Sequence, residues 1–369
     1  MMQSCVTNNL DDCPDAVRYA IAFKYTLHTE ESGRFINGEY DRFYEDVDKL
    51  FIYVFDATTK LCVYADTATV LAPFEDDFVY PIPLNVGKYN IITWGWGRNE
   101  GSPSLKMSTA IIPTVVPNVT TIDDARLQLE EAVVNNQLEK IFYSETRDME
   151  ISPFISRIDT LPLMNISNTV RIVLEDMRTA KLQDEITISI TGDDGAYLFN
   201  SISNSKAGSY PGDEGYFKSR NNAPDLYAGI RSDVTYNPYV VYRTDSILKA
   251  DPIHIRTPYT GSGRDSMLVV EISSLRFVQD NREMKIDINW DEVDLNGKTD
   301  HHTFQIPLVK ILEDFIANTM NSTRIQYNLD RVHRWQINFK ITDTYVTASI
   351  SIMNWHNKNN PADLGGILQ

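Results

Sequence analysis

Apolar residues in this chain recur at alternate positions, or in short unbroken runs, much more often than at helical spacing. In DKLFIYVFDATTKLCVYAD the runs Leu50–Phe55 and Leu61–Tyr64 are rich in β-branched and aromatic side chains. They flank a polar turn at Asp56–Lys60, which predicts a hairpin. KYNIITWGWG predicts a further strand ending at Gly95 and Gly97. NTVRIVLEDM alternates Val170, Ile172 and Leu174 with Arg171, Val173 and Glu175, the period of a strand with one buried face. DEITISITGDDGAYLFN alternates Ile186, Ile188 and Ile190 before Gly192-Asp193-Asp194-Gly195, which predicts another hairpin. MLVVEISSLRFV and REMKIDINW supply a later pair of strands. In RWQINFKITDTYVTASISIMNW, Trp335, Ile337, Phe339 and Ile341 share a face, and a turn near Asp343 leads to Ile350 and Ile352.

Two segments carry helical spacing. TIDDARLQLEEAVVNNQLEKI offers Thr121 as N-cap, Asp123 and Asp124 in the first turn, and Leu127, Val134 and Leu138 near one face. That helix is expected to end around Phe142. PLVKILEDFIANTM places Pro307 at its start, with Leu308, Ile311, Leu312 and Phe315 at helical positions. The remainder is short strands punctuated by Gly, Pro, Asn and Asp, the pattern of an all-β chain of β-sandwich domains with a few short helices.

At 369 residues the chain exceeds one ordinary core, and two domains of about 150–200 residues are expected. The polar, Pro-interrupted stretch SETRDMEISPFISRID puts the boundary near 145–160. The division expected is a leader at 1–15, a first sandwich at 16–152 and a second at 153–369. The polar stretch Gly208–Asp225 reads as an exposed loop.

Hydrophobic residues make up 42% and aromatics 11%, enough for packed cores. Charge excludes some partners: 34 Lys+Arg against 51 Asp+Glu gives −17, which repels nucleic-acid phosphates and anionic membranes, and basic residues are scattered singly. No run reaches the ~20 apolar residues of a membrane span. Met1–Ser4 has neither the charged nor the apolar part of an export signal, so the chain is cytosolic or its numbering starts inside such a signal.

The 3 cysteines allow at most one internal pair. Cys13 and Cys62 can pair if the Cys13 segment lies beside the strand holding Cys62, leaving Cys5. Ser4 is the small residue that precedes a lipid-modified cysteine, although Met2 and Gln3 depart from the usual residues there. The alternative is three reduced, unrelated thiols.

Catalytic signals are weak. There is no G-x-S-x-G, and GSGRDSM (Gly261–Met267) has the wrong spacing ahead of a strand. GWGRNEG (Gly95–Gly101) has its third Gly late and Pro103 where a nucleotide-binding helix would begin. A β-turn beside two partly exposed rings, Trp94 and Trp96, fits better. Those rings would stack on a sugar or pack under a partner strand, or else belong to the core. None of the 6 histidines has zinc-ligand spacing, and His301-His302 sit beside Asp300 on what reads as a polar loop. DLNGKTD (Asp294–Asp300) lacks the regular ligands of a calcium loop and suits a hairpin turn. The acid pairs Asp46/Asp48 and Asp193/Asp194 are what an acidic composition produces by itself. No catalytic residue, metal or cofactor is expected.

The leader running into DDCP, followed by RYAIAFKYTLH, YEDVDKLFIYVFD and PIPLNVGKYNIITWGWGRN, resembles the fimbrillin-associated anchor lipoproteins of Bacteroidales, the minor-fimbria or FimB-type family. IFYSETRDMEI (Ile141–Ile151) and NTVRIVLEDM match that family's layout, and the similarity runs from about Cys13 to Trp355. The resemblance implies two tandem transthyretin-like β-sandwiches, export, a lipid on Cys5 and a Cys13–Cys62 disulfide. It further implies residence on the outer membrane at the base of a fimbrium. Its partners would be fimbrial subunits joined by strand addition. The rival expectations are a shaft or tip subunit of the same system, a glycan-binding lipoprotein using Trp94 and Trp96, and a secreted hydrolase using paired acids.

Overall fold

The computed structural model describes residues 19–25, 29–31, 34–36, 42–70, 78–97, 107–152, 157–176, 186–199, 232–244, 267–279, 281–293, 297–341 and 346–352. The first half is built around a five-stranded sheet of β4 (Val47–Asp56), β5 (Cys62–Thr69), β7 (Gly87–Gly97), β11 (Ile141–Ile151) and β13 (Met164–Asn165), in the order β13-β11-β7-β4-β5. A smaller sheet holds β1 (Tyr19–Lys24), β6 (Val79–Pro81) and β12 (Arg157–Pro162), with β1 central and β12 parallel to it. Strands β12 and β13 follow residue 152 in sequence, yet pair with β1 and β11.

Successive side chains of a strand point to opposite faces, and here the two faces of the large sheet feed two different cores. Ile52 and Val54 of β4, Ile91 of β7 and Phe142 of β11 share one core with Tyr19, Ile21 and Phe23 of β1. Tyr53 and Phe55, Ile92 and Trp94, and Ile141 and Tyr143 face the other core. The short sheet of β8 (Ala110–Ile111), β9 (Arg126–Leu129) and β16 (Ala196–Leu198) contributes Leu127, Leu129 and Tyr197 to that second core. A sheet buried on both faces needs near-continuous apolar runs, which is why LFIYVF and NIITWGW do not alternate.

The second half is a sandwich of two five-stranded sheets. One is β10 (Val133–Val134), β17 (Val234–Tyr236), β15 (Thr187–Gly192), β20 (Lys285–Val293) and β21 (Thr299–Pro307), in that order. The other is β18 (Val240–Thr244), β19 (Met267–Ser274), β14 (Asn168–Asp176), β22 (Arg334–Ile341) and β23 (Val346–Ile352), in which β22 runs parallel to β14. Ile188, Ile190, Tyr236, Ile286 and Ile288 pack in one core with Val170, Ile172, Val270, Trp335 and Ile337. A separate hairpin joins β2 (Thr29–Glu31) and β3 (Arg34–Ile36).

Of the helices α1 (Phe43–Asp46), α2 (Leu308–Asn318) and α3 (Ile325–Leu329), α2 is the one expected from sequence. Pro307 stands at its N-cap, and Leu308, Val309, Leu312 and Ile316 are buried in the core. The β4–β5 and β22–β23 hairpins, and strand β7, likewise stand where the periodicity places them. Of DLNGKTD, residues 294–296 lie outside the described residues; β20 and β21 pair up to Val293 and Thr299, with Gly297 at φ +80°.

Four expectations are corrected. The helix over 121–141 is not formed. Thr121 does open a turn, its Oγ1 accepting the Asp124 N–H at 3.2 Å, but the chain then extends into β9, β10 and β11. Leu127 and Leu129, two apart, are buried where β9 pairs with β16, and that tertiary partner outweighs the local helical preference. The segment SETRDMEI is no linker but the body of β11, interrupted by an irregularity between Thr146 and Met149 at which Asp148 takes φ 51°. Gly192–Gly195 does not close a hairpin, because β15 pairs with β17 and β20 while β16 pairs with β9. Finally β14 is buried on both faces: Val173 and Arg171 are 3% and 5% exposed on the side opposite Val170 and Ile172.

Candidate functional site

The two tryptophans lie two apart on β7 and so share a face. Trp94 is fully enclosed, with ring centroids 4.7 Å from Tyr143 and 5.6 Å from Phe199. Its expected partial exposure is therefore corrected: Phe199, far along the chain, covers it. Trp96 is half-buried, meets Phe51 edge-on at 4.6 Å, and donates from Nε1 to Thr109 Oγ1 at 3.1 Å. The pair does not form a two-ring platform for a sugar.

Cys62 is buried in the same core, its thiol contacting the Tyr64 carbonyl at 3.3 Å, and burial pushes that thiol above its ordinary pKa. Cys5, Cys13, the Gly208–Asp225 stretch and Gly261–Ser266 of GSGRDSM lie outside the described residues.

The acids occupy structural positions. Asp46, 2% exposed, receives a hydrogen bond from Lys140 Nζ at 2.7 Å and is ion-paired with Arg42 at 3.1 Å, while Asp48 is exposed. Asp193 and Asp194 are both buried at the crossing from β15 to β16. An open pocket of about 450 Å³ beside them is lined by Val133, Thr191, Asp193, Asp233, Val234 and Glu283. His301 and His302 belong to strand β21 rather than to a polar loop, and neighbours on a strand point to opposite faces. His302 stacks on Trp290 at 5.2 Å. Among the described residues, no three His, Cys, Asp or Glu side chains stand close enough to share a metal ion. No described helix is long and apolar enough to cross a membrane.

The open edges of the sheets are what distinguish the two halves. In the first half, β5 and β6 are terminal strands tied together by side chains. The Tyr80 hydroxyl donates to Asp66 and shares a 2.7 Å hydrogen bond with the Tyr64 hydroxyl. In the second half, β21 pairs with β20 along all 9 of its residues without a register shift, and no described strand lies on its other side. Its run carries no Lys and no bulge, and the edge devices it does hold, Asp300 and Pro307, stand at its two ends. Phe304, opposite Ile288, is 38% exposed, and Trp290 is only partly covered. Strand β23, the other terminal strand, is 7 residues of VTASISI with no charge.

Among the described residues, then, the fold is all-β with terminal strands that no described strand covers, and Asp46, Asp193 and Asp194 are buried in it. The family comparison makes this specific. Residues 10–361 match the family described as fimbrillin-A associated anchor proteins Mfa1 and Mfa2. The chain belongs to that family. No curated protein sequence matches it. Among solved structures it is similar to a candidate polysaccharide-binding protein of Bacteroides thetaiotaomicron, at 17% identity and TM-score 0.61, covering 92% of this chain and 99% of that one. It is also similar to the fimbrial anchor protein Mfa2 of Porphyromonas gingivalis, at 13% identity and TM-score 0.53, covering 91% and 98%. A candidate adhesin of Bacteroides ovatus matches at 16% identity and TM-score 0.57, covering 91% and 94%. At such identities these likenesses establish the fold.

Proposed function

We propose that this protein is a non-enzymatic lipoprotein of the outer membrane that anchors, and initiates or limits, a surface fimbrium. Its two sandwiches are of the transthyretin-like kind, the first extended past residue 152 by β12 and β13, Cys5 carries the lipid, and Cys13 is bonded to Cys62. A fimbrial subunit adds an extended segment to an open sheet edge, with affinity from main-chain hydrogen bonds and selectivity from alternate side chains. Family membership over residues 10–361 supports the fimbrial role. The observation that carries the mode of assembly is the regular nine-residue strand β21, terminal among the described strands and with Phe304 exposed at its middle.

The test is made in cells that assemble the fimbrium. A photo-reactive residue at Thr303 forms an adduct with a fimbrial subunit, and Phe304→Lys reduces attached fimbriae without unfolding the purified protein. Normal fimbriae in Phe304→Lys, with no adduct at Thr303, contradict the edge. Cys5→Ser releases soluble protein into the medium, whereas retention in the membrane fraction contradicts the anchor. A protein that shears off with the fibres is instead a shaft or tip subunit.

A further inference from the structure

Between β15 and β16 the chain crosses from the second sandwich into the short sheet that covers Trp94. The crossing is pinned by its backbone. Gly195 N–H donates to the Ser232 carbonyl at 3.0 Å, Ser232 N–H to the Asp193 carbonyl at 3.2 Å, and Leu129 N–H to the Gly195 carbonyl at 2.8 Å. At its centre the side chain of Asp194 is completely enclosed. Oδ1 accepts a hydrogen bond from the Tyr236 hydroxyl at 3.2 Å, and Oδ2 meets no donor.

The groups that face this carboxyl are Tyr236 on β17 and Asp193 in its own turn, and Tyr197 on β16 acts on Tyr236 in turn. Asp233 and Glu283, just ahead of β17 and β20, line the adjoining pocket with Asp193. Among the described residues, all of these are neutral or acidic. A carboxylate withdrawn from water without a cation favours its protonated form. Burial accordingly pushes Asp194 up to about 7, Asp193 adding in the same direction and the hydrogen bonds from Tyr236 and from its own backbone N–H opposing.

We propose that Asp194 is a proton-operated latch at the crossing between β15 and β16: protonated, it lets the junction stay packed, and ionised, it favours opening. In the opened or unfolded chain an Asp titrates at ~3.9. Between that value and about 7 the closed form holds a proton that the open form has lost, so closure strengthens as pH falls through this window. Above the window both forms are ionised and the penalty is complete.

Hydrogen exchange of the full-length protein, followed by mass spectrometry and corrected for intrinsic rates, reads the junction directly. Peptides covering β15, β16 and β17 lose protection by up to about tenfold per pH unit between pH ~5 and ~7, relative to β7 as internal reference. In Asp194→Asn this dependence disappears, while Asp193→Asn retains it. An equal pH dependence in wild type and Asp194→Asn, or none in wild type, overturns the latch. Infrared titration of the wild type does not depend on the variant folding. A protonated-carboxyl band that persists at pH ~6, well above the ordinary carboxylate range, supports the proposal, and its absence there refutes it.

Discussion

The ring of Phe199 stands 5.6 Å from the indole of Trp94 and 5.4 Å from Tyr53, so a residue just after β16 completes the core beneath β7 and β4. Arg147 of β11 reinforces the joint by donating to the Phe199 carbonyl at 2.9 Å. The halves of the chain are thus joined by an aromatic insertion rather than by a linker alone. Phe199→Ala and Trp94→Ala should each lose about 3–5 kcal/mol in urea unfolding, as large core truncations do. Because the rings touch, the double variant should lose less than the sum. Additive losses would mean that the two do not share a core.

Arg171 and Glu271 are opposite residues of β14 and β19, joined at 2.6 and 2.9 Å with both side chains 6% exposed. Tyr239 donates to the second carboxylate oxygen of Glu271 at 3.1 Å. Glu271→Gln leaves a guanidinium buried beside a neutral amide and should cost about 3–5 kcal/mol. Replacing both partners by apolar residues of similar volume should cost much less. Equal losses for the single and double replacements would refute this account of the pair.

Gly97 ends β7 where a Cβ would lie 2.6 Å from Lys140 Cβ and 3.3 Å from the Asp46 carbonyl oxygen. Gly97→Ala should displace Lys140 from Asp46 and cost about 1–3 kcal/mol, the usual penalty of overpacking. Gly297, with nothing within 4 Å but φ +80°, should also resist Ala, through backbone strain alone. Thermal unfolding of the two variants checks both statements.

Cys62 is completely buried, so in reduced, folded protein it should resist alkylation until denaturant is added. In protein recovered from the cell surface, non-reducing peptide mapping should return Cys13 and Cys62 on one linked fragment. Two freely alkylated thiols in that denatured sample would end the disulfide proposal.

How far these features were legible follows from the reach of the interactions that make them. The β4–β5 and β22–β23 hairpins close over short turns, and α2 buries one stripe after a favourable Pro307, so nearby residues announce them. Residues 121–141 carry a genuine capping residue and helically spaced leucines, and still extend, because β16 offers β9 a partner that no local pattern records. The two glycines and two aspartates at 192–195 have turn chemistry, but Ser232 takes the backbone groups that a hairpin would pair. Nothing in the spacing marks Asp194 as enclosed rather than solvated, since the hydroxyl that meets it comes from Tyr236 on β17.

The sequence by itself determined the all-β character, the near hairpins, helix α2 and the family, for alternation and turn residues act over a few positions and survive in one dimension. Only the tertiary structure decided that Trp94 is covered, that β14 and the β4–β7–β11 sheet are buried on both faces, and that the halves interlock at Phe199. Apolar patterning states which side chains must leave water. Which partner takes them in is settled by strand pairings between distant residues, whose energy appears only once the chain has closed upon itself.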